Sequence, residues 1–185
     1  MLLRRDMSLE QLIELDPLRV LGPISGQLGS CEILVKIIDT SADLSVQVHP
    51  DDSDSSLKQN ECGKPESWLI LDAEPNAGIY LGFAKPYSLS ELRQKLENGS
   101  GGDLLQFLPV EPGDYFEIPP GVPHAIGAGV TIAEPQRVVA GRSGKTFRMY
   151  DWQRLYDENG HLDLEKGSLR DLHIEESLRI IDPTK

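Results

Sequence analysis

Apolar and polar residues alternate in short segments along much of the chain. Strand-type segments cover 31–38, 44–49, 67–71, 78–83, 113–118 and 130–133, and a further strand is expected at 146–150. Gly, Pro, Asn or Asp lie at the ends of these segments, which is typical of strands joined by tight turns. The pattern predicts an all-β protein, either a barrel or a sandwich.

Two segments have a helical pattern instead. Ser8 is followed three residues later by Gln11, which is a capping-box signature, and the apolar spacing beyond it predicts a short helix over about 8–15. Ser88 and Glu91 repeat that signature and predict a helical insertion over about 88–107, whose helix ends near 97. The residues beyond about 152 are expected to form a turn and a polar C-terminal tail.

The composition narrows the class of protein. The chain has 185 residues and a formal net charge of −12, which fits one domain over 1–185 with its β-structure at about 30–152. This excess of acidic residues argues against a surface that binds nucleic acid, because binding to phosphates is driven by Lys and Arg. No apolar run reaches the roughly 18–20 residues of a membrane span, and residues 1–6 lack the apolar core of a signal peptide, so we expect a cytoplasmic protein that does not bind membranes. Cys31 and Cys62 are the two cysteines, and we expect free thiols.

The segment 44–52 places two polar side chains on one strand face. Because side chains alternate along a strand, Gln47 and His49 point to the same side, about 7 Å apart. That side is either the solvent face of an amphipathic strand or the interior of the β-structure, where polar groups need a partner.

Two further segments supply a carboxylate and an imidazole. Glu66 opens an apolar strand, with Lys64 two residues before it, although a Lys beside a Glu is usually a weakly coupled surface pair. Three prolines and a glycine stiffen the loop that ends at His124, which limits the entropy lost in holding that side chain. With Gln47 as a weaker fourth ligand, His49, Glu66 and His124 form a set suited to Zn²⁺.

The other two histidines fit a metal site less well. His161 lies in an Asn-Gly turn and His173 in the charged tail, so we expect both to be solvated or locally hydrogen-bonded.

A run of positive charge lies at 136–148. It contains no acid, and its cations are Arg137, Arg142, Lys145 and Arg148. Salt screens charges beyond roughly 8 Å, so a local cluster of this kind can capture an anion although the whole chain is acidic. The alternative is a solvated loop with scattered positive charge.

Six segments, taken in order, resemble the motifs of type I mannose-6-phosphate isomerases. They are 34–39, 44–52, 63–68, 112–125, 134–136 and 147–152. The resemblance implies a cupin fold (a double-stranded β-helix or jelly-roll barrel) and one zinc ion per chain. It also implies interconversion of mannose 6-phosphate and fructose 6-phosphate by proton transfer through a cis-enediol. The implied zinc ligands are the set already selected, Gln47, His49, Glu66 and His124.

The resemblance also implies three catalytic residues. Lys64 matches an active-site lysine, Glu134 an active-site acid, and Arg148 an arginine near the substrate. Glu134 is the first choice for the base that removes the C2 proton and Lys64 the second. Arg148 would either stabilise the enediolate or hold the phosphate, and the long interval between Glu134 and Arg148 makes Arg142 its fallback. Arg142 and Lys145 are expected to bind the substrate.

The resemblance begins near Ser8, whereas family members carry a further segment before this point and many continue into a second, smaller barrel. A wall of the substrate pocket would then be missing. The alternative function is a non-catalytic, metal-containing cupin that binds a sugar or sugar phosphate. A cupin dioxygenase fits less well, because Gln47 stands where such enzymes generally have the first histidine of a His-x-His motif. The sequence leaves a monomer and a homodimer open.

Overall fold

A computed structural model describes residues 7–183. The first six residues, on which the expectation of no signal peptide rests, lie outside the described residues. The helices are α1 Leu9–Leu15, α2 Pro17–Leu28, α3 Leu89–Glu97 and α4 Ile174–Ile180, with a short 3₁₀ helix at Gly101–Leu104.

The strands follow the first two helices along most of the remaining chain. They are β1 Ile33–Asp39, β2 Val46–Val48, β3 Glu61–Cys62, β4 Glu66–Ala73, β5 Gly78–Phe83, β6 Leu105–Pro109, β7 Tyr115–Ile118, β8 His124–Ile126, β9 Val130–Arg137, β10 Ser143–Gly144, β11 Phe147–Tyr150, β12 Leu155–Tyr156 and β13 Ser168–Leu169.

Two antiparallel sheets form the body of the molecule. One has the strand order β1-β9-β4-β7 and the other β11-β2-β8-β5-β6. Trp68 and Ile70 from the first sheet share an apolar core with Ile79 and Ile126 from the second. The prediction of an all-β protein is therefore confirmed, with two sheets that face each other across a common core.

Two helices cover the outer face of the five-stranded sheet. Val46 and Val48 of β2 are fully buried there, in a cluster with Leu92 of α3 and Leu178 of α4. Since side chains alternate, Gln47 points to the opposite face, between the sheets. The solvent-face reading of this strand is therefore wrong.

Both predicted helix starts are confirmed. Ser8 accepts a hydrogen bond from the backbone N–H of Gln11, and Ser88 accepts one from Glu91, each in a complete capping box. The helical insertion ends earlier than predicted, at Leu104, because 105–109 pairs with β5 as strand β6.

The sequence did not predict two of the helices. Gly22 has a φ of +80° and is followed by Pro23, so α2 is kinked at residues that normally break a helix. The expected polar tail contains α4, which buries Leu178 and Ser177. Among residues 7–183, no helix is long and apolar enough to cross a membrane.

Candidate metal centre and active site

Three buried side chains meet at the ends of strands. His49 directly follows β2, Glu66 begins β4 and His124 begins β8. The Nε2 atoms of the two histidines are 3.1 Å apart, and each lies 3.6 Å from a carboxylate oxygen of Glu66. The antiparallel pairing of β2 with β8, in which Gln47 is opposite His124, brings two of these segments together.

Backbone contacts fix the orientation of both imidazoles. Nδ1 of His124 donates to the carbonyl oxygen of Val122 at 2.9 Å, and Nδ1 of His49 donates to that of Lys145 at 3.2 Å. Each ring therefore directs its Nε2 atom towards Glu66, which is the usual arrangement of metal-ligating histidines. The rigid loop before His124 supplies one of these carbonyls, as its proline content suggested.

The protonation states also suit a metal. Burial, reinforced by the neighbouring His49, lowers the pKa of His124 to about 3. Burial acts to raise the pKa of Glu66, but the hydrogen bond to His49 and the positive charges around the carboxylate outweigh it and lower that pKa to about 2. A neutral imidazole and a carboxylate anion are the forms that bind Zn²⁺.

The chemistry of this donor set fits a divalent cation. The nitrogen and oxygen atoms of His49, Glu66 and His124 lie within 4.8 Å of one another. Converging lone pairs repel one another unless a positive charge lies among them. Lys64 supplies one here, with its Nζ 2.6 Å from Oε2 of Glu66 and 3.4 Å from Nε2 of His49.

Glu66 and His124 line a cavity of about 270 Å³ between the sheets. His49 lies behind the lining, with its Nε2 atom 3.1 Å from that of His124 and 3.6 Å from the carboxylate of Glu66. The lining residues of the cavity are Lys36, Ile38, Leu44, Ser45, Gln47, Lys64, Glu66, Trp68, His124, Ala125, Ile126 and Glu134. Gln47 is half-buried beside His124, and its amide donates to Ser45 Oγ at 3.4 Å. The lining therefore combines apolar side chains with ionisable groups.

A second ion pair faces the same cavity. Glu134 on β9 is 3% exposed and is bonded to Lys36, which lies directly opposite on β1. No role was predicted for Lys36, although it is the single charge in the apolar run at 33–38, and that signal could have identified it. Trp68, whose ring meets that of His124 edge-on at 5.5 Å, was also missed.

The basic run is not part of this cavity. Lys145 pairs with Glu61 at 2.7 Å, and Arg148 donates to the carbonyl oxygen of Asp171 at 3.1 Å. Arg137 pairs with Asp52 at 2.6 Å, whereas Arg142 lies on an exposed turn. Acids from distant segments thus neutralise much of the positive charge at 136–148. The cavity-lining residues do not include Arg142, Lys145 or Arg148.

The remaining predictions concern local structure. Cys31 and Cys62 are free thiols, as predicted. His161 is exposed and lies 3.5 Å from Asp157, and Nδ1 of His173 accepts the backbone N–H of Arg148 at 3.0 Å. His161 therefore has the local role expected of it, whereas His173 is partly buried and bonds to Arg148, 25 residues away, which is not the local role expected.

The chain is similar in sequence to curated proteins named mannose-6-phosphate isomerase. The chain is 38% identical over 151 residues to mannose-6-phosphate isomerase ManA of Bacillus subtilis, which covers 81% of this chain and 44% of that protein. It is 39% identical over 149 residues to mannose-6-phosphate isomerase of Streptococcus mutans, covering 80% and 43%. The chain thus spans less than half the length of the curated relatives that it matches. Profiles of known protein families give no match.

Solved structures agree with the sequence comparison. The mannose 6-phosphate isomerase of Bacillus subtilis matches with a TM-score of 0.68 at 32% identity, over 83% of this chain and 45% of that one. A zinc-bound mannose 6-phosphate isomerase matches with a TM-score of 0.65 over 96% of this chain and 61% of that one; at 15% identity it shows the fold alone. The resemblance to mannose-6-phosphate isomerases is confirmed.

Proposed function

We propose that this chain carries the metal centre and proton-transfer residues of a zinc-dependent isomerase that interconverts mannose 6-phosphate and fructose 6-phosphate. The observation that carries the proposal is a cavity that Glu66 and His124, two members of the buried His49–Glu66–His124 group, line together with the buried Glu134. The similarity to relatives named mannose-6-phosphate isomerase supports the choice of substrate. We further propose that the two sheets close as a cupin barrel.

His49, Glu66 and His124 would hold the metal, with Gln47 beside them as a neutral fourth ligand. When bound, Zn²⁺ would polarise the oxygen atoms of the open-chain sugar. Lys64, in contact with Glu66 and His49, would then lie next to both the metal and the substrate.

The reaction moves a proton between C2 and C1 of the sugar. Glu134 is the proposed base, because it is a buried carboxylate that lines the cavity from the four-stranded sheet, whereas His124 lines it from the five-stranded sheet. Lys36, which is bonded to this carboxylate, holds it in place beside the cavity, and Lys64 remains the second candidate for the base. Arg148 and Arg142 would reach the substrate only if their side chains left the positions described above.

Replacement of the base tests the proposal. Glu134→Gln preserves shape and hydrogen-bonding capacity but removes the proton acceptor, so turnover should fall by about 10²–10⁴-fold while the bound metal is retained. Glu117→Gln, on the exposed face of β7, is the matched control and should keep full activity. Equal activity of Glu134→Gln and the unaltered chain would contradict the role of Glu134.

One observation favours a second function. The two cations that line the cavity among the described residues, Lys36 and Lys64, are both paired with carboxylates, which leaves little positive charge for a phosphate. A metal-containing cupin that binds a sugar or sugar phosphate without converting it would have such a site. Such a binding protein would be stabilised against heat by its ligand but would not convert it, whereas an isomerase would show both thermal stabilisation and turnover.

A further inference from the structure

We propose that Thr146 is a positioning residue of the metal centre, whose hydroxyl group orients the ring of His49 and thereby strengthens the binding of zinc. This inference rests on the metal centre proposed above, but it does not depend on turnover. Oγ1 of Thr146 lies 3.2 Å from Nδ1 of His49. Thr146 does not line the cavity, so its hydroxyl acts on the metal through His49 and not by contact with the substrate.

The pairing of β11 with β2 brings these two side chains together. Phe147, the first residue of β11, lies opposite Val48, the last residue of β2. One further step in this antiparallel register places Thr146 opposite His49. Phe147 and Val48 both belong to the apolar cluster on the outer face of the sheet. Because side chains alternate along a strand, Thr146 and His49 both point to the inner face.

A second contact of the ring decides the direction of the hydrogen bond. Nδ1 of His49 also lies 3.2 Å from the carbonyl oxygen of Lys145. A carbonyl oxygen can only accept, so Nδ1 carries a proton, and the hydroxyl oxygen of Thr146 accepts that same proton. The N–H group is thus shared between two acceptors. Nε2 is left as the nitrogen that binds the metal, which is the effect that an outer partner has on a ligating histidine.

The two imidazoles of the centre are held differently. Nδ1 of His124 donates to the carbonyl oxygen of Val122 at 2.9 Å. The corresponding carbonyl contact of His49 is longer, at 3.2 Å. Since a longer hydrogen bond is weaker, the orientation of His49 depends more on its second acceptor, the hydroxyl of Thr146.

Backbone pairing holds Thr146 in place. Strand β10 ends two residues before it and pairs in parallel with β3. The N–H of Lys145 then donates to the carbonyl oxygen of Cys62 at 2.8 Å. Thr146 itself is β-branched, which restricts rotation about χ1. The hydroxyl is therefore presented to His49 at a small cost in conformational entropy.

The segment that carries Thr146 also packs against Lys64. A Cβ atom at Gly144 would lie only 3.2 Å from Cγ of Lys64, so the absence of a side chain there permits this close approach. Residues 144–146 thus contact both Lys64 and His49. This part of the basic run supports the metal centre through its backbone and one hydroxyl, although it does not line the cavity.

The zinc affinity of Thr146 variants tests the proposal. Thr146→Val keeps the branched shape but removes the acceptor, so the zinc dissociation constant should rise about tenfold. The rise stays at the lower end of the effects of losing an outer partner because the carbonyl oxygen of Lys145 remains. Thr146→Ala should weaken zinc binding as much as Thr146→Val, whereas Thr146→Ser keeps the hydroxyl and should bind zinc nearly as tightly as the unaltered chain. Competition with a chelator of known affinity measures these constants without any use of activity.

Thr131→Val is the matched control. Thr131 lies on β9, does not line the cavity and donates to Asp39 at 2.7 Å. This variant therefore loses one side-chain hydrogen bond by the same chemical change, and its zinc dissociation constant should equal that of the unaltered chain.

The outcomes separate this inference from the proposed function. Weaker zinc binding by Thr146→Val, with recovery in Thr146→Ser, supports the inference whether or not the chain converts mannose 6-phosphate. Equal zinc affinity of Thr146→Val and the unaltered chain would overturn the inference and leave the isomerase proposal intact. Equal weakening in Thr146→Ser and Thr146→Val would also overturn it, since the loss would then not depend on the hydroxyl. An unaltered chain that binds no zinc would overturn both proposals.

Discussion

At the scale of single residues, the cavity is organised by contacts behind the reactive groups. The carbonyl oxygens of Val122 and Lys145 orient the two imidazoles, and Lys36 holds the carboxylate of Glu134. These partners come from segments far apart in the sequence. The positions of the functional atoms therefore depend on the whole two-sheet arrangement.

Removal of one imidazole should release the metal. Because a metal held by few protein ligands loses a large share of its binding energy with each of them, His49→Ala and His124→Ala should lower zinc affinity by at least about a hundredfold. His161→Ala is the matched control, since that side chain is 81% exposed and lies outside the cavity. Metal analysis after dialysis measures the effect, and full zinc content in His124→Ala would contradict the assignment.

Sequence reasoning identified the residues whose chemistry is unusual for their position. Gln47, His49, Glu66 and His124 are polar groups at strand positions beside apolar residues, and this local pattern is visible in one dimension. Lys36 was missed because its partner, Glu134, lies 98 residues away. The ion pairs of the basic run were not predicted for the same reason, since the acids that pair with it, Glu61 and Asp52, belong to other segments.

At the scale of elements, the two helices that begin with a capping box differ in how much of the core they bury. The helix that Ser88 caps, α3, buries Leu92 and Leu96, whereas α1, capped by Ser8, buries nothing. Ser88→Ala should therefore lower the free energy of unfolding by about 1 kcal/mol. Ser8→Ala should leave it nearly unchanged, because α1 can fray without exposing the core. Urea denaturation measures both, and equal losses would contradict this difference.

Strand periodicity and capping boxes predicted those helices and strands that have a signature within a few neighbouring residues. Strand β5 lies where the sequence placed it, and both capped helices begin as expected. Helix α2 was missed because Gly22 and Pro23 are helix breakers, and the chain accommodates them with a kink. Helix α4 was missed because its first residue follows no capping side chain and its apolar contacts are made with distant strands.

At the scale of the whole molecule, a buried carboxylate ties the C-terminal segment to the sheets. Asp151 is 4% exposed and accepts hydrogen bonds from Arg154 at 2.5 Å and from Arg170 at 2.7 and 2.8 Å. Burial acts to raise the pKa of Asp151, but the two arginines outweigh it and lower the pKa below its ordinary value of 3.8.

This ion pair predicts a pH dependence of stability. Because the folded-state pKa of Asp151 lies below its unfolded value, its contribution is fully present above about pH 4 and is lost as the pH falls through the folded-state pKa. Asp151→Asn should lower the free energy of unfolding by about 1–3 kcal/mol at neutral pH and reduce the further loss in acid. Urea denaturation at pH 7 and below pH 4 measures both effects. The prediction would be contradicted if Asp151→Asn and the unaltered chain lost the same free energy of unfolding between these two pH values.

We propose that one cavity both binds zinc and isomerises a sugar phosphate, in a chain that spans less than half the length of its curated relatives. The most direct measurement follows conversion of mannose 6-phosphate to fructose 6-phosphate by NMR while zinc is titrated into metal-free protein. We expect conversion to rise with zinc and to level off near one ion per chain. Full zinc occupancy without any conversion would contradict the claim.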